Sequence, residues 1–385
     1  MRVFRRPVPL LTAAIGVIGA NSLVLPPIAP AVAADLSTDI SIILRAAAAY
    51  GGGTALSALL LAPRADVIGS DKALKVASLI LVIALFLSTF AMNISMLIVG
   101  QALAGIGSGI ALPSIYSLAA QVAPPGREKQ TISAVLTGWT LSLIGGVTLS
   151  TVLTDIMGWR FVYGLMTLMT LGIWMLLRHC DMTPARLSSL ATSPLTALRV
   201  PGIWRALLSN AMLMLAFNGA YIYMGAHVVE NLQRGTSAAG AITMFYGAGF
   251  GIAVFFHQHL HRLPLRRVGL IAFGGLAVIY LLMDKVALYF YLLLPIAIIW
   301  GVLQHFALSM VVDRLTNLDI TQRGAIMGLN SAVTYLTVVL GAICYRFPYE
   351  YGGLSACLAF SALFAAIAAI ESQRRPRVKT YSAAE

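Results

Sequence analysis

The side chains that could do chemistry in this sequence stand nearly alone in apolar surroundings. Asn21 and Ser22 lie near the middle of one hydrophobic run, and Arg45 interrupts "IILRAAAAYGGG" (42–53). Gln101 lies in a later run; Asn218, Tyr221 and Tyr223 share another. Gln304 stands beside His305, and Asn330 and Tyr335 close the set. A polar group inside a bilayer must be compensated, so each is a functional hypothesis by default. Amides can orient an uncharged or amphipathic solute and aromatic rings can hold its flat faces. The same groups serve equally well as hydrogen bonds between helices. No Asp or Glu falls near the centre of a hydrophobic run: Asp35, Asp39, Asp155, Glu230 and Asp284 sit at one set of ends, Asp66, Asp313 and Asp319 at the other. No nucleophile, base or metal set converges, which argues against an enzyme and implies no cofactor. The histidines of "HQHLH" (257–261) lie in a basic stretch without carboxylate or thiol, so no metal site is expected.

These groups need helices to position them, and the composition supplies membrane-spanning ones. Of 385 residues, 59% are hydrophobic and 10% charged, with a mean hydropathy of +0.86. A soluble domain carries about 25% charge. Runs of the roughly 20 residues that cross a bilayer occur near 8–34, 39–62, 73–93, 95–119, 130–154 and 159–178, then near 204–229, 236–257, 267–283, 286–312, 324–345 and 351–370. The basic start and the small residues at Ala31 and Ala33 resemble a signal peptide. The apolar part from Pro7 to Ala34 is longer than the roughly 7–15 residues of a signal core, so a retained first helix is expected. With the N-terminus cytoplasmic, 21 of the 26 lysines and arginines fall inside, 4 outside, and Arg45 is left within the span. That asymmetry orients the chain with both termini inside. It also accounts for the net charge of +12 without nucleic acid. The polar stretch 178–205 separates two sets of six helices. The expected organisation is therefore 1–178, a linker 179–203, 204–371 and a basic tail 372–385, an all-α membrane protein built as an internal repeat. No GxxxxGK[ST] loop occurs, which argues against an ATP-driven pump in this chain. Cys180, Cys344 and Cys357 form no framework.

Four stretches together resemble the major facilitator superfamily. "APRADVIGSDKALK" (62–75) is similar to the family's loop between helices two and three, with Ala62, Asp66, Gly69, Lys72 and Lys75 matching and Ala62 where glycine is usual. "LIVGQALAGIGSGIALP" (97–113) is similar to the helix-four pattern, with Gln101 in place of its arginine and Gly105 matching. "TGWTLSLIGGVTLSTVLTDIMGWRFVYG" (137–164) resembles the antiporter signature of helix five, with Val147 where proline is common. "LPPIAPAVAADL" (25–36) is similar to the end of helix one in drug and sugar-efflux relatives, and 257–267 echoes the first loop without its aspartate. The nearest branch is that of twelve-helix drug:proton antiporters and sugar or purine exporters.

The resemblance implies two six-helix bundles around a central cavity, alternating access, and a monomer in a bacterial inner membrane. It implies export of a drug, sugar, purine or similar metabolite in exchange for protons. Helices one, four, seven and ten would line the cavity, giving Asn21, Arg45, Gln101, Asn218, Tyr221, Gln304, His305, Asn330 and Tyr335 as candidates for solute binding. Proton exchange needs a titrating group, for which His305, Glu230 and Asp35 are candidates; histidine has the most suitable ordinary pKa, about 6.5. Asp66, Gly69 and Lys72 would form a conformational latch, and Gly105, Gly138, Gly145 and Gly146 would let helices approach closely. Two other readings stand beside export. One is uptake or exchange of an organic anion, with Arg45 as the cation standing in for the arginine missing at Gln101. The other is a receptor or assembly factor on a transporter scaffold. For Arg45 itself, the plain alternative is a side chain that snorkels to the interface or pairs with Asp39 or Asp35.

Overall fold

The structure, a computed structural model, describes residues 7–180, 194–260, 264–319 and 322–373, apart from the side chains of 65–67, 129, 257–260 and 265. Twelve of its helices are long and apolar enough to cross a membrane. They are α1 (Pro7–Asp35), α2 (Ile40–Leu60), α3 (Ser70–Thr89), α4 (Ile94–Gln121), α5 (Gln130–Met157), α6 (Trp159–Arg178), α7 (Ile203–Asn231), α8 (Thr236–Phe256), α9 (Arg266–Val286), α10 (Phe290–Thr316), α11 (Arg323–Cys344) and α12 (Arg346–Gln373). No strand occurs among the described residues.

Local chemistry sets several boundaries. Asn93 caps α4 by accepting from the Met96 amide at 2.9 Å, satisfying one of the orphan donors of a helix start. Gly69 (φ 93) ends a short turn over Ala62–Ile68, and Gly158 (φ 85) divides α5 from α6. α12 starts five residues earlier than the hydrophobic run 351–370 implies and breaks at Gly353 (φ 59), a conformation that glycine takes without a Cβ penalty. Its last turn also extends past that run, which brings Glu371 into the helix.

Two buried cores hold the helices. One is made chiefly of side chains from Leu10 to Leu177, the other chiefly of side chains from Ala197 to Ala369. The halves repeat each other closely at one helix crossing. A Cβ on Gly105 of α4 would strike the Tyr50 carbonyl and the Thr54 amide of α2; on Gly301 of α10 it would strike the Tyr246 carbonyl and the Phe250 amide of α8. Gly53 against Ala102 corresponds in the same way to Gly249 against Ile298. Every member of one set lies 196 positions from its counterpart. The sequence shows the trace as "YGGG" (50–53) and "YGAG" (246–249). Backbone-to-backbone contact at these crossings admits nothing larger than glycine, which is how small residues serve helix packing without a hydrophobic drive.

Candidate functional site

The seam between the halves is where solute chemistry could occur, and its two ends differ. The end at which α1 begins and α12 finishes is here the near end, and the opposite one the far end. At the far end the halves meet. Asp155, in the last turn of α5, accepts from the Thr236 amide at 3.0 Å and the Ser237 amide at 2.7 Å, both in the first turn of α8. Thr148 of α5 donates to the Gly240 carbonyl of α8 at 3.2 Å. Gly225 of α7 lies against Pro26 and Pro27 of α1, where a Cβ would come within 2.7 Å of the backbone.

The α1–α7 contact follows from sequence. Pro27 has no N–H, so the Leu23 carbonyl four residues earlier loses its partner within the helix. The Tyr221 hydroxyl of α7 donates to that carbonyl at 2.8 Å. A buried carbonyl without a partner is costly, so the prolines of "LPPIAP" create a docking point for the other half. The crevice beneath, lined by Pro27, Tyr221, Met224, Gly225 and Trp300 among others, holds about 10 Å³. That is about the space of one water, and the far end is closed to solutes.

Toward the near end α5 separates from α8. α5 and α8 stay together as far as Thr140 and Gly251. Beyond that point Ile252, Val254, Phe255 and Phe256 of α8 are all exposed, while Ala253 between them is buried. Ser133 and Thr137 of α5 are exposed opposite. The contact between α5 and α8 therefore stops at mid-depth.

Aromatic side chains gather at this mid-depth level. Phe217 of α7 stacks on Tyr221 (5.2 Å between centroids) and packs on Tyr246 of α8 (5.4 Å) and Trp300 of α10 (5.5 Å). Trp300 donates to the Tyr280 hydroxyl at 3.1 Å. Tyr335 of α11 meets Tyr50 of α2 edge-on at 6.3 Å, across the seam. His305 of α10 meets Phe250 edge-on at 4.7 Å, one residue before Gly251, where the contact between α5 and α8 ends. Gln304 occupies the repeat position of Ser108. Ser108 accepts from Tyr50 at 3.0 Å, whereas the Oε1 of Gln304 is buried without a partner.

A model of the Major Facilitator Superfamily matches residues 10–342. The chain belongs to that superfamily. It is a multi-pass membrane transporter and not an enzyme. One relative is the "Uncharacterized MFS-type transporter YwfA" of Bacillus subtilis, 25% identical over 366 residues, which cover 92% of this chain and 89% of that protein. Another is the "Purine ribonucleoside efflux pump NepI" of Shigella sonnei, 24% identical over 316 residues, 78% of this chain and 76% of that protein. The NepI of Escherichia coli K12 is 23% identical over 234 residues, 58% and 57% of the two chains.

Within this facilitator fold the expected residues separate into groups. Gln304 is buried, and His305 and Tyr335 are partly buried, the first against Phe250 and the second against Tyr50. Tyr221 reaches the seam, but its hydroxyl is spent on Leu23. Asn218 donates to Thr337 at 3.1 Å between α7 and α11, and Gln101 donates to Ser88 of α3 at 3.2 Å, so both serve packing inside a bundle. Asn21 and Asn330 are buried with side-chain atoms unpartnered. Asn21 lies on the face of α1 that carries Val24 and Ile28, opposite the face that Gly19 and Leu23 turn to α5 and α7.

Arg45 does not substitute for the arginine absent at Gln101. It is exposed, on the stripe of α2 shared with Leu56 and Leu60, about 20° and 60° round the helix. Gly53, which faces α4, is about 80° away. Arg45 makes no ion pair among the described residues, so pairing with Asp39 or Asp35 is not what holds it either. Asp35 instead pairs with Arg160 and accepts from Trp159 at 3.2 Å, and exposed Glu230 accepts from Tyr349 at 3.0 Å. Both lie at the far end.

Gly105, Gly138 and Gly146 pack against neighbours, but nothing stands within 4 Å of a Cβ on Gly145, which is not a packing glycine. It lies in a π-helical turn over Ser142–Val147, where α5 is rewound and this position faces outward. The Asp66 side chain and those of His257, His259 and His261 lie outside the described residues, as do 181–193 of the linker. Lys72 is exposed, and the ion pair near it joins Lys75 to Asp71 at 2.8 Å.

Three features escape sequence reading. Asp155 reads as one more helix-end acid. The ring cluster of Phe217, Tyr246 and Trp300 is spread over three distant runs, although the repeat of "YGGG" as "YGAG" marks Tyr246. Glu371 lies one residue past the last hydrophobic run. It is 8% exposed and binds Arg314 at 2.6 and 3.1 Å, Arg205 at 2.9 Å and Ser209 at 2.6 Å. This cluster ties α7, α10 and α12 together at the near end.

Proposed function

We propose that this transporter exports a small uncharged, ring-bearing solute of the purine ribonucleoside class from the cytoplasm across a bacterial inner membrane. The termini and the near end face the cytoplasm and the solute enters there, the chain works as a monomer, and access alternates by rocking of the halves. One observation carries the solute class: an unpaired amide oxygen, that of Gln304, lies one helical turn from Trp300, whose ring packs on Tyr246 at 4.6 Å. Flat heterocycles stack on such rings, and a buried acceptor rewards a solute that brings an N–H or O–H donor. No carboxylate in the sequence lies near the middle of a span, which favours a neutral cargo over a cation. The name of the NepI relatives points the same way.

Proton exchange is the proposed drive, with His305 as the group that titrates. It is the one histidine near the middle of a span, and its ordinary pKa of about 6.5 suits the task. The test is flux in proteoliposomes of the purified full chain. Labelled purine ribonucleosides should exchange faster than in protein-free vesicles. They should accumulate against their gradient under an imposed pH gradient and lose that accumulation on adding an uncoupler. Absence of nucleoside flux would overturn the solute class. Flux indifferent to a pH gradient of either sign would overturn proton exchange.

A further inference from the structure

We propose that Asp155 is the latch of the far gate: a carboxylate of one half that caps a helix of the other and thereby sets the balance between the two access states. Both carboxylate oxygens are used. One accepts from the Thr236 amide at 3.0 Å and the other from the Ser237 amide at 2.7 Å. These amides belong to the first turn of α8, whose N–H groups have no partner inside the helix. A carboxylate there satisfies two orphan donors and lies at the positive end of the α8 dipole. Most such caps are local, from the residue that precedes the helix. This one crosses the seam, so it exists only while the halves are together at the far end.

The surroundings are shaped for it. Gly235 precedes α8, and a Cβ there would lie 3.0 Å from the Asp155 carboxylate, crowding the approach. One turn further on, Gly240 admits Thr151 of α5 so closely that any side chain would overlap it, and its carbonyl accepts from Thr148. Asp155 has no ion-pair partner among the described residues. Its two acceptor bonds are therefore made to the other half alone. Opening the far end breaks both bonds at once and returns the carboxylate and the α8 amides to water. Asp155 is a positioning residue that touches no solute.

The proposal rests on the alternating-access reading, and its test needs neither solute nor gradient. Cys180 and Cys344 are replaced by serine, Cys357 is left in place because it is buried, and spin labels are set at Ile156 of α5 and Ala241 of α8. Distances are measured in nanodiscs holding the full chain. The parent should show a short distance. Asp155→Ala should raise the ratio of long to short distances roughly tenfold, the effect expected for losing hydrogen bonds to a charged group that is partly solvated. Asp155→Asn keeps an acceptor and is a good cap residue, so it should fall between. Ser237→Pro removes one donor from the opposite half at a position where proline suits a helix start. Combined with Asp155→Ala it should add less than its own effect, since both act on one pair.

Gly240→Val, which separates the helices by bulk, is the reference for an opened gate. If Gly240→Val lengthens the distance and neither Asp155→Ala nor Ser237→Pro does, the latch is refuted while alternating access stands. If no variant lengthens it although solute still crosses, the rocking of this seam is what fails.

Discussion

Tyr221→Phe tests the link between three prolines and the gate. The substitution removes one oxygen and leaves the ring stacked on Phe217. The Leu23 carbonyl then has no partner in the closed far end, because Pro27 cannot supply the amide that an ordinary helix would. An unsatisfied buried acceptor costs about 1–3 kcal/mol. With the seam open, water reaches both groups and the hydroxyl contributes little. The loss thus falls on the far-closed state alone. At about 2 kcal/mol it moves the closed-to-open ratio about 30-fold toward open. Spin labels at exposed Ala34 of α1 and Asn231 of α7 report the change as growth of a long-distance population. Pro27→Ala supplies the missing amide, so in that background Tyr221→Phe should cost less than about 0.5 kcal/mol. An unchanged distribution in the single variant would refute the reasoning, as would an equal cost in both backgrounds.

Three further outcomes follow from the geometry. Gly240→Val should fold, bind solute at the near side and fail to transport, because the added side chain collides with Thr151 and the far end cannot close; equilibrium binding measured beside vesicle flux checks this. Glu371→Gln should lower thermal stability in detergent by about 3 kcal/mol, because it leaves Arg314 and Arg205 without their shared carboxylate at a site that is largely buried. A melting temperature within a degree of the parent would contradict it. His305→Gln should preserve exchange of solute between equal concentrations but abolish accumulation driven by a pH gradient, and accumulation that survives would remove His305 from the coupling.

Much of the architecture is legible in the sequence because lipid makes a strict demand. Every backbone group must be satisfied within its own segment, so length and apolarity mark the twelve spans to within a few residues. The two misread ends of α12 have local causes: Gly353 breaks a helix whose first turn is polar, and Glu371 is a charge that hydropathy excludes from a span. The candidate site is less legible. Gln101, Asn218 and Gln304 are alike in sequence, each a lone amide in an apolar run. Only the neighbours presented by other helices decide that the first two are hydrogen-bonded within a bundle and that the Oε1 of Gln304 is not.

The sequence by itself determined the solvent this protein lives in, the number of its spans and its superfamily motifs. Those are properties of segments, set by period, length and composition. The tertiary structure alone decided which polar groups are free, that Arg45 faces outward, that Tyr221 serves a carbonyl released by Pro27, and that Asp155 caps a helix of the other half. Each of these depends on residues of different helices, from 13 to 198 positions apart, meeting within about 3 Å, or on the side of a helix that a neighbour leaves bare. The direction of a side chain around its helix follows from packing, and no local pattern encodes which neighbour arrives.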